Sequence, residues 1–211
     1  RYEGGHRVPF FLHWPAGGYS VGRDINQLTA NVDFMPTLVE LCGLEEPEGL
    51  EYDGRSLVLL MEGRIDQWEE RTLVTDSQRV PNPIKWKDSS TMRGKWRLIN
   101  GRELYNVETD PEQRNDVAEQ YPELVESLRQ DYEVWWAKVS RQFEEEIPIS
   151  IGTDNEKVTR ITSHDWRGDL GDCAWNQGDI RAGKICNSYV EILVERDGVY
   201  TFELRRWPIE E

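Results

Sequence analysis

The feature that most constrains this chain is an apolar stripe at helical spacing, formed by Leu124, Leu128, Tyr132, Trp135, Trp136 and Val139 and opened by Pro122. Proline costs little in a first helical turn, where its missing amide would have no partner, and steps of three or four residues put the stripe on one face. That face needs an apolar surface to cover, and the preceding residues supply one. Segments 71–75, 90–93 and 96–99 read as strands, with Gly94-Lys95 as a hairpin turn, and Glu103 to Val107 makes another. Three or four antiparallel strands with the helix on one face form a small α+β unit. Asp110-Pro111 is expected to start a short helix through about residue 118, ahead of the long one.

The N-terminal third has a different grammar. Glu3-Gly4-Gly5-His6-Arg7-Val8-Pro9 runs into Phe10-Phe11-Leu12-His13-Trp14-Pro15, which reads as a tight loop entering a buried strand. The glycines permit close approach of an anion or another chain, and the Arg7 fork suits carboxylate, phosphate or sulfate. The plainer alternative is a turn in which Arg7 holds a neighbouring loop. Asp33 is expected to cap a helix over 34–42, with Pro36 in its first turn and Gly43 as its stop. Phe34, Leu38, Leu41 and Cys42 share one face of that helix, which should be core. A connector with a turn at Asp53-Gly54-Arg55-Ser56 and a short apolar helix over 57–61 follows.

The last third is rich in turn signals: Gly152-Thr153-Asp154-Asn155, Asn176-Gln177-Gly178-Asp179 and Asp197-Gly198. Alternation in 188–194 and 198–207 suggests a hairpin, so an appended β-sandwich-like unit is expected. Trp166, Trp175 and Trp207 could form a sugar-stacking face, although tryptophan is more often core. Cys42 is expected to be a buried small hydrophobe, and Cys173 and Cys186 could bridge if the protein is exported. No cysteine has zinc-ligand spacing.

A formal net charge of −15 argues against sequence-independent nucleic-acid binding, which needs a basic surface. No stretch approaches the ~20 apolar residues needed to cross a bilayer as a helix. Oligomeric state is left open.

The succession Glu3-Gly4-Gly5-His6-Arg7-Val8-Pro9, Trp14-Pro15, Asn31-Val32-Asp33-Phe34-Met35-Pro36-Thr37-Leu38, Leu41-Cys42-Gly43 and Glu103-Leu104-Tyr105 before Asp110-Pro111 resembles the later part of the sulfatase family. The resemblance is to arylsulfatases of the alkaline-phosphatase-like superfamily and covers about residues 1 to 140. It implies an α/β fold with residues 1–70 as the end of the large catalytic domain and 71–145 as a small α+β C-terminal subdomain (antiparallel sheet plus long helix); the turn signals and alternation of 146–211 add the appended β-rich unit. Within the family the nucleophile is a formylglycine made from a Cys/Ser-x-Pro/Ala-x-Arg motif, and calcium is held by Asp and Asn. Cys42-Gly43-Leu44-Glu45, Cys173-Ala174-Trp175-Asn176 and Cys186-Asn187-Ser188-Tyr189 do not carry that motif.

The resemblance therefore places the formylglycine, the calcium (Ca2+) ligands, the catalytic histidine and the sulfate-binding lysine upstream of Arg1, in a longer parent protein. This chain would contribute no catalytic or metal-binding residue. His6, His13, Gln78 and Arg79 are the candidate substrate-binding residues, the last two because their loop leaves a strand and runs against the acidic background. A sulfated carbohydrate or aryl sulfate is the implied substrate, and the periplasm or cell exterior the implied location. The alternatives are a phosphodiesterase or phosphonate hydrolase of the same superfamily and a non-catalytic carbohydrate-binding protein.

Overall fold

The structure, a computed structural model, describes residues 2–46, 48–78, 80, 82–168 and 173–207. They form two compact units, one of residues 1–78 with 84–140 and one of 79–83 with 141–211.

The first unit runs α1 (Glu3–His6), α2 (Phe34–Cys42), α3 (Val58–Met61), β1 (Thr72–Asp76), β2 (Ser89–Arg93), β3 (Trp96–Ile99), β4 (Glu103–Asn106) and α4 (Pro122–Val139). The four strands make one antiparallel sheet in the order β1-β2-β3-β4. Arg93 pairs with Trp96 across a two-residue turn, and Gly94 takes φ +49°, a left-handed conformation that glycine adopts at no steric cost. Leu98 and Leu104 meet Val125 and Leu128 of α4, with Trp96 and Leu124 packed around them. Tyr132, the largest fully buried side chain, continues this seam. Strand alternation sends Met92, Arg97 and Tyr105 to the opposite face, where they are paired in register. A second core joins Leu57, Leu60 and Met61 to Tyr19, Leu41 and Trp68.

Four local expectations give way. Glu3-Gly4-Gly5-His6 is one helical turn rather than a tight loop, and residues 10–14 form no strand, with only an isolated bridge from Trp14 to Tyr19. Helix α2 has the expected bounds, but Pro36, Thr37 and Val39 are its buried residues, while Phe34, Leu38 and Cys42 are exposed. The reason is a hydrogen bond: Thr37 Oγ1 accepts from the Leu57 amide at 2.9 Å, turning its own face toward α3. Residues 110–117 form no helix, only a turn at 111–112 and a bend at 115, because the Asp110 carboxylate takes the amides of Arg114 (2.9 Å) and Asn115 (2.8 Å). Asp33 precedes α2 yet makes no capping bond to it, for reasons given below.

In the second unit β5 (Ile149–Ile151) and β6 (Ile192–Val194) pair in parallel, and α5 (Gln177–Ala182) is capped by Asn176, whose Oδ1 accepts from the Asp179 amide at 2.9 Å. This differs from the expected antiparallel hairpin and sandwich. Among the described residues of 198–207 there is no strand, and Val199, Phe202 and Leu204 are exposed. Alternation prepares a segment for a sheet without naming its partner, and β6 takes β5. Cys42, Cys173 and Cys186 are free thiols. No helix among the described residues is long and apolar enough to cross a membrane.

Candidate functional site

Helix α1 is too short to hold itself, and two central glycines raise its conformational cost. What fixes it is the sheet. The Glu3 carboxylate turns inward, 12% exposed, and accepts from Arg97 of β3 through Nε (2.8 Å to Oε2) and Nη2 (3.3 Å to Oε1). The Glu3 amide donates to Gln113 Oε1 at 2.6 Å, and Tyr2 donates its hydroxyl to Glu103 at 2.9 Å. His6 Nε2 lies 3.3 Å from Glu3 Oε2 with its ring 15% exposed, and Arg7 Nη1 lies 3.8 Å from Oε1 with its guanidinium 75% exposed. The His6 imidazole first, and the Arg97 guanidinium with it, hold the Glu3 carboxyl at about 2 against the opposing effect of burial.

Gly4 and Gly5 both lie within this helical turn, and a Cβ built on either meets no atom within 4 Å. Nothing in this chain's own packing requires glycine there. The turn presents bare backbone to open space.

The second candidate element is the loop between β1 and β2. Gln78 Nε2 donates to Asp76 Oδ1 (3.0 Å) and to the Ile84 carbonyl (2.8 Å), and its Oε1 accepts from the Ile84 amide (2.8 Å). The amide is thus committed to closing the loop. Arg79 lies outside the described residues. Trp86, at φ +68°, stacks on Tyr132 with ring centroids 3.7 Å apart and donates its amide to the Tyr132 hydroxyl at 2.9 Å. Lys85 pairs with Glu133 of α4. Burial pushes the Asp76 carboxyl up, partly offset by Gln78 and reinforced by the Asp88 charge.

His13 is exposed on the irregular segment before Trp14. Among the described residues no hydrogen bond, ion pair or ring contact joins any two of His6, His13 and Gln78. The polar residues that organise the site, Arg97 and Gln113, escape a sequence reading. Arg97 gave one local signal, an arginine set between Trp96 and Leu98 in a strand.

Among the described residues no group of three or more His, Cys, Asp or Glu is arranged to hold a metal ion. The fully buried carboxylate, Asp33, is already saturated: it accepts from the amides of Ala30 (2.8 Å) and Arg55 (2.9 Å) and pairs with Arg71. Asp33 therefore has no carboxylate oxygen left for a calcium ion.

A profile of the family described as N-sulphoglucosamine sulphohydrolase, C-terminal, matches residues 1–136. Human steryl-sulfatase is 35% identical over 85 residues, covering 40% of this chain and 14% of that protein. An N-acetylgalactosamine-6-O-sulfatase of Bacteroides thetaiotaomicron is 26% identical over 147 residues, covering 60% of this chain and 27% of the relative. A solved 2-O GAG sulfatase aligns at 18% identity with a TM-score of 0.40, over 55% of this chain and 26% of its own. The chain thus spans a minor part of the length of these relatives. With its four-stranded antiparallel sheet backed by one long helix and the family profile running through both, the chain belongs to the sulfatase family, as part of its C-terminal portion.

Proposed function

We propose that the parent of this chain is a sulfuric ester hydrolase of arylsulfatase type, and that residues 1–140 supply one wall of its site. The observation that carries this reading is the Glu3–Arg7 turn, anchored inward by Glu3 and presenting bare glycine backbone and a solvent-facing arginine outward. Sulfate-ester hydrolysis needs a nucleophile, a cation to offset charge, donors to the sulfuryl oxygens and an acid for the leaving alcohol. This chain offers donors: the solvent-facing Arg7 guanidinium, the exposed His13 imidazole and the α1 backbone, whereas the His6 imidazole is turned in against Glu3. Gln78 contributes by closing the loop that carries Arg79. The family's formylglycine and calcium would lie in the rest of the protein, where formylglycine would supply the nucleophile and calcium the charge compensation.

Residues 1–70 then form the end of an alkaline-phosphatase-like catalytic domain, 71–145 the small subdomain and 146–211 an appended unit. The exposed band of Phe10, Phe11, Phe34, Met35 and Leu38 is the surface that the larger domain would cover. A sulfated sugar or an aryl sulfate is the substrate class, and the periplasm or cell exterior the location. The test is to assay the full-length protein on 4-nitrophenyl sulfate and sulfated disaccharides, beside 4-nitrophenyl phosphodiesters. Sulfate release is expected, with none from residues 1–211 alone. Turnover of phosphodiesters only would overturn the reading.

A further inference from the structure

Arg97 is 6% exposed on its side chain, and each of its three nitrogens is engaged. Nη1 donates to the carbonyls of Gly94 (2.7 Å) and Trp96 (2.9 Å), while Nε and Nη2 grip Glu3. The guanidinium is therefore clamped to the β2–β3 turn on one side and to α1 on the other. Gln113, from the segment after β4, holds the amide of the same glutamate.

We propose that Arg97 is a positioning residue for sulfate-ester hydrolysis, setting from the small sheet where the Glu3–Arg7 turn stands in the catalytic wall. This rests on the sulfatase reading above and extends it to a buried side chain of the small sheet. Three observations support it. A four-residue helix with two glycines has no positional stability of its own, so an outside grip decides its place. The grip is bidentate, which fixes direction as well as distance. Among the described residues a Cβ on Gly4 or Gly5 would meet no atom within 4 Å, so the inward anchoring leaves the glycine side of the turn open. Displacing His6, Arg7 and the α1 backbone by even 1 Å would then be felt in the reaction.

The experiment uses the full-length enzyme with Arg97→Lys, Arg97→Met and Glu3→Gln, assayed on 4-nitrophenyl sulfate per mole of folded protein, with amide hydrogen exchange in parallel. Lysine keeps the charge but cannot span Glu3 and both carbonyls, so Arg97→Lys should fold and still fail to rescue. The expected result is a loss in kcat on the order of 10²-fold with a much smaller change in KM. The amides of Gly5 and Arg7, which donate to Tyr2 (2.8 Å) and Glu3 (2.9 Å), should exchange faster while α4 stays protected. Faster exchange with wild-type kcat would make Arg97 a structural residue only and end the proposal, as would no change in either. If the unaltered full-length protein hydrolyses no sulfate ester, the sulfatase reading and the catalytic half of this proposal both fall. Exchange at Gly5 and Arg7 then still decides, on its own, whether Arg97 sets the turn.

Discussion

Arg71 and Asp33 form a buried bidentate pair that ties the segment ahead of α2 to the edge of the small sheet. Nη1 of Arg71 donates to Asp33 Oδ1 at 2.7 Å, and Nη2 to Oδ2, with 6% and 0% of the two side chains exposed. The amides of Ala30 and Arg55 complete the carboxylate's shell. One aspartate thereby joins three stretches of chain, which explains why it does not cap the helix that it precedes.

Removing either partner strands a buried charge, so Asp33→Ala or Arg71→Met should destabilise the first unit by about 3–5 kcal/mol. Burial raises the Asp33 carboxyl, but Arg71 and the two amides outweigh it and leave the group below its ordinary value. Its stabilising contribution is therefore present above the ordinary aspartate range and lost on acidification. Urea midpoints measured against pH check both; an Asp33→Ala midpoint equal to wild type at neutral pH would contradict the first.

Glu3 gives a sharper pH signature. Its carboxyl falls from 4.5 to about 2 on folding, so the associated stability is full above pH 4.5 and disappears as pH falls toward 2. The gap between wild type and Glu3→Gln should grow over that window to a plateau of about 3 kcal/mol. A gap independent of pH would show that the carboxylate's charge is not what anchors α1.

Asp76 should behave in the opposite sense. Its folded carboxyl is raised, first by burial, so ionisation costs more in the folded chain than in the unfolded one and stability improves as pH falls. Asp76→Asn should raise the melting midpoint at pH 7, with the gain vanishing in acid. A lower midpoint at pH 7 would mean that the Gln78 contacts need the charge.

Gly54 sits where a Cβ would lie 2.0 Å from the Val32 carbonyl oxygen and 2.7 Å from the Asp33 amide. These atoms belong to the Val32–Asp33 peptide, backbone that cannot swing aside as a side chain would. Gly54→Ala should cost about 1–3 kcal/mol and loosen the Arg55 amide from Asp33. Chemical denaturation measures the first and hydrogen exchange at Arg55 the second.

Phe10 and Phe34 stack at 4.5 Å yet remain 52% and 37% exposed, beside Met35 at 60% and Leu38 at 51%. Residues 1–211 alone should bind an apolar dye strongly, and Phe34→Ser with Leu38→Glu should abolish most of that binding with little loss of midpoint. Dye binding that survives both substitutions would place the sticky surface elsewhere.

The long helix was legible because Pro122 and the Leu128–Tyr132 spacing act within one or two turns of chain. The same holds for the hairpin at Gly94-Lys95 and for α2, with Pro36 in its first turn and Gly43 at its stop. The inward face of α2 was not legible: Phe34, Leu38, Leu41 and Cys42 make an equally good stripe, and the Thr37 bond to Leu57, twenty residues on, chose against it. Trp86 gave no warning of its left-handed backbone, which is held by Tyr132 of a helix that begins far downstream.

Elements α2 to α4 and β1 to β4, the antiparallel sheet with its covering helix, and the family are readable from the residues alone, whereas α1 and the irregular segment after it are not. Which charges meet, Glu3 with Arg97 and Asp33 with Arg71, was settled by the packed fold. Periodicity is enforced between near neighbours, by backbone geometry and by water's exclusion from apolar faces, so it is written in short windows. A buried charge instead needs whichever opposite charge the completed fold brings within hydrogen-bonding reach, and that proximity does not exist until the chain is packed.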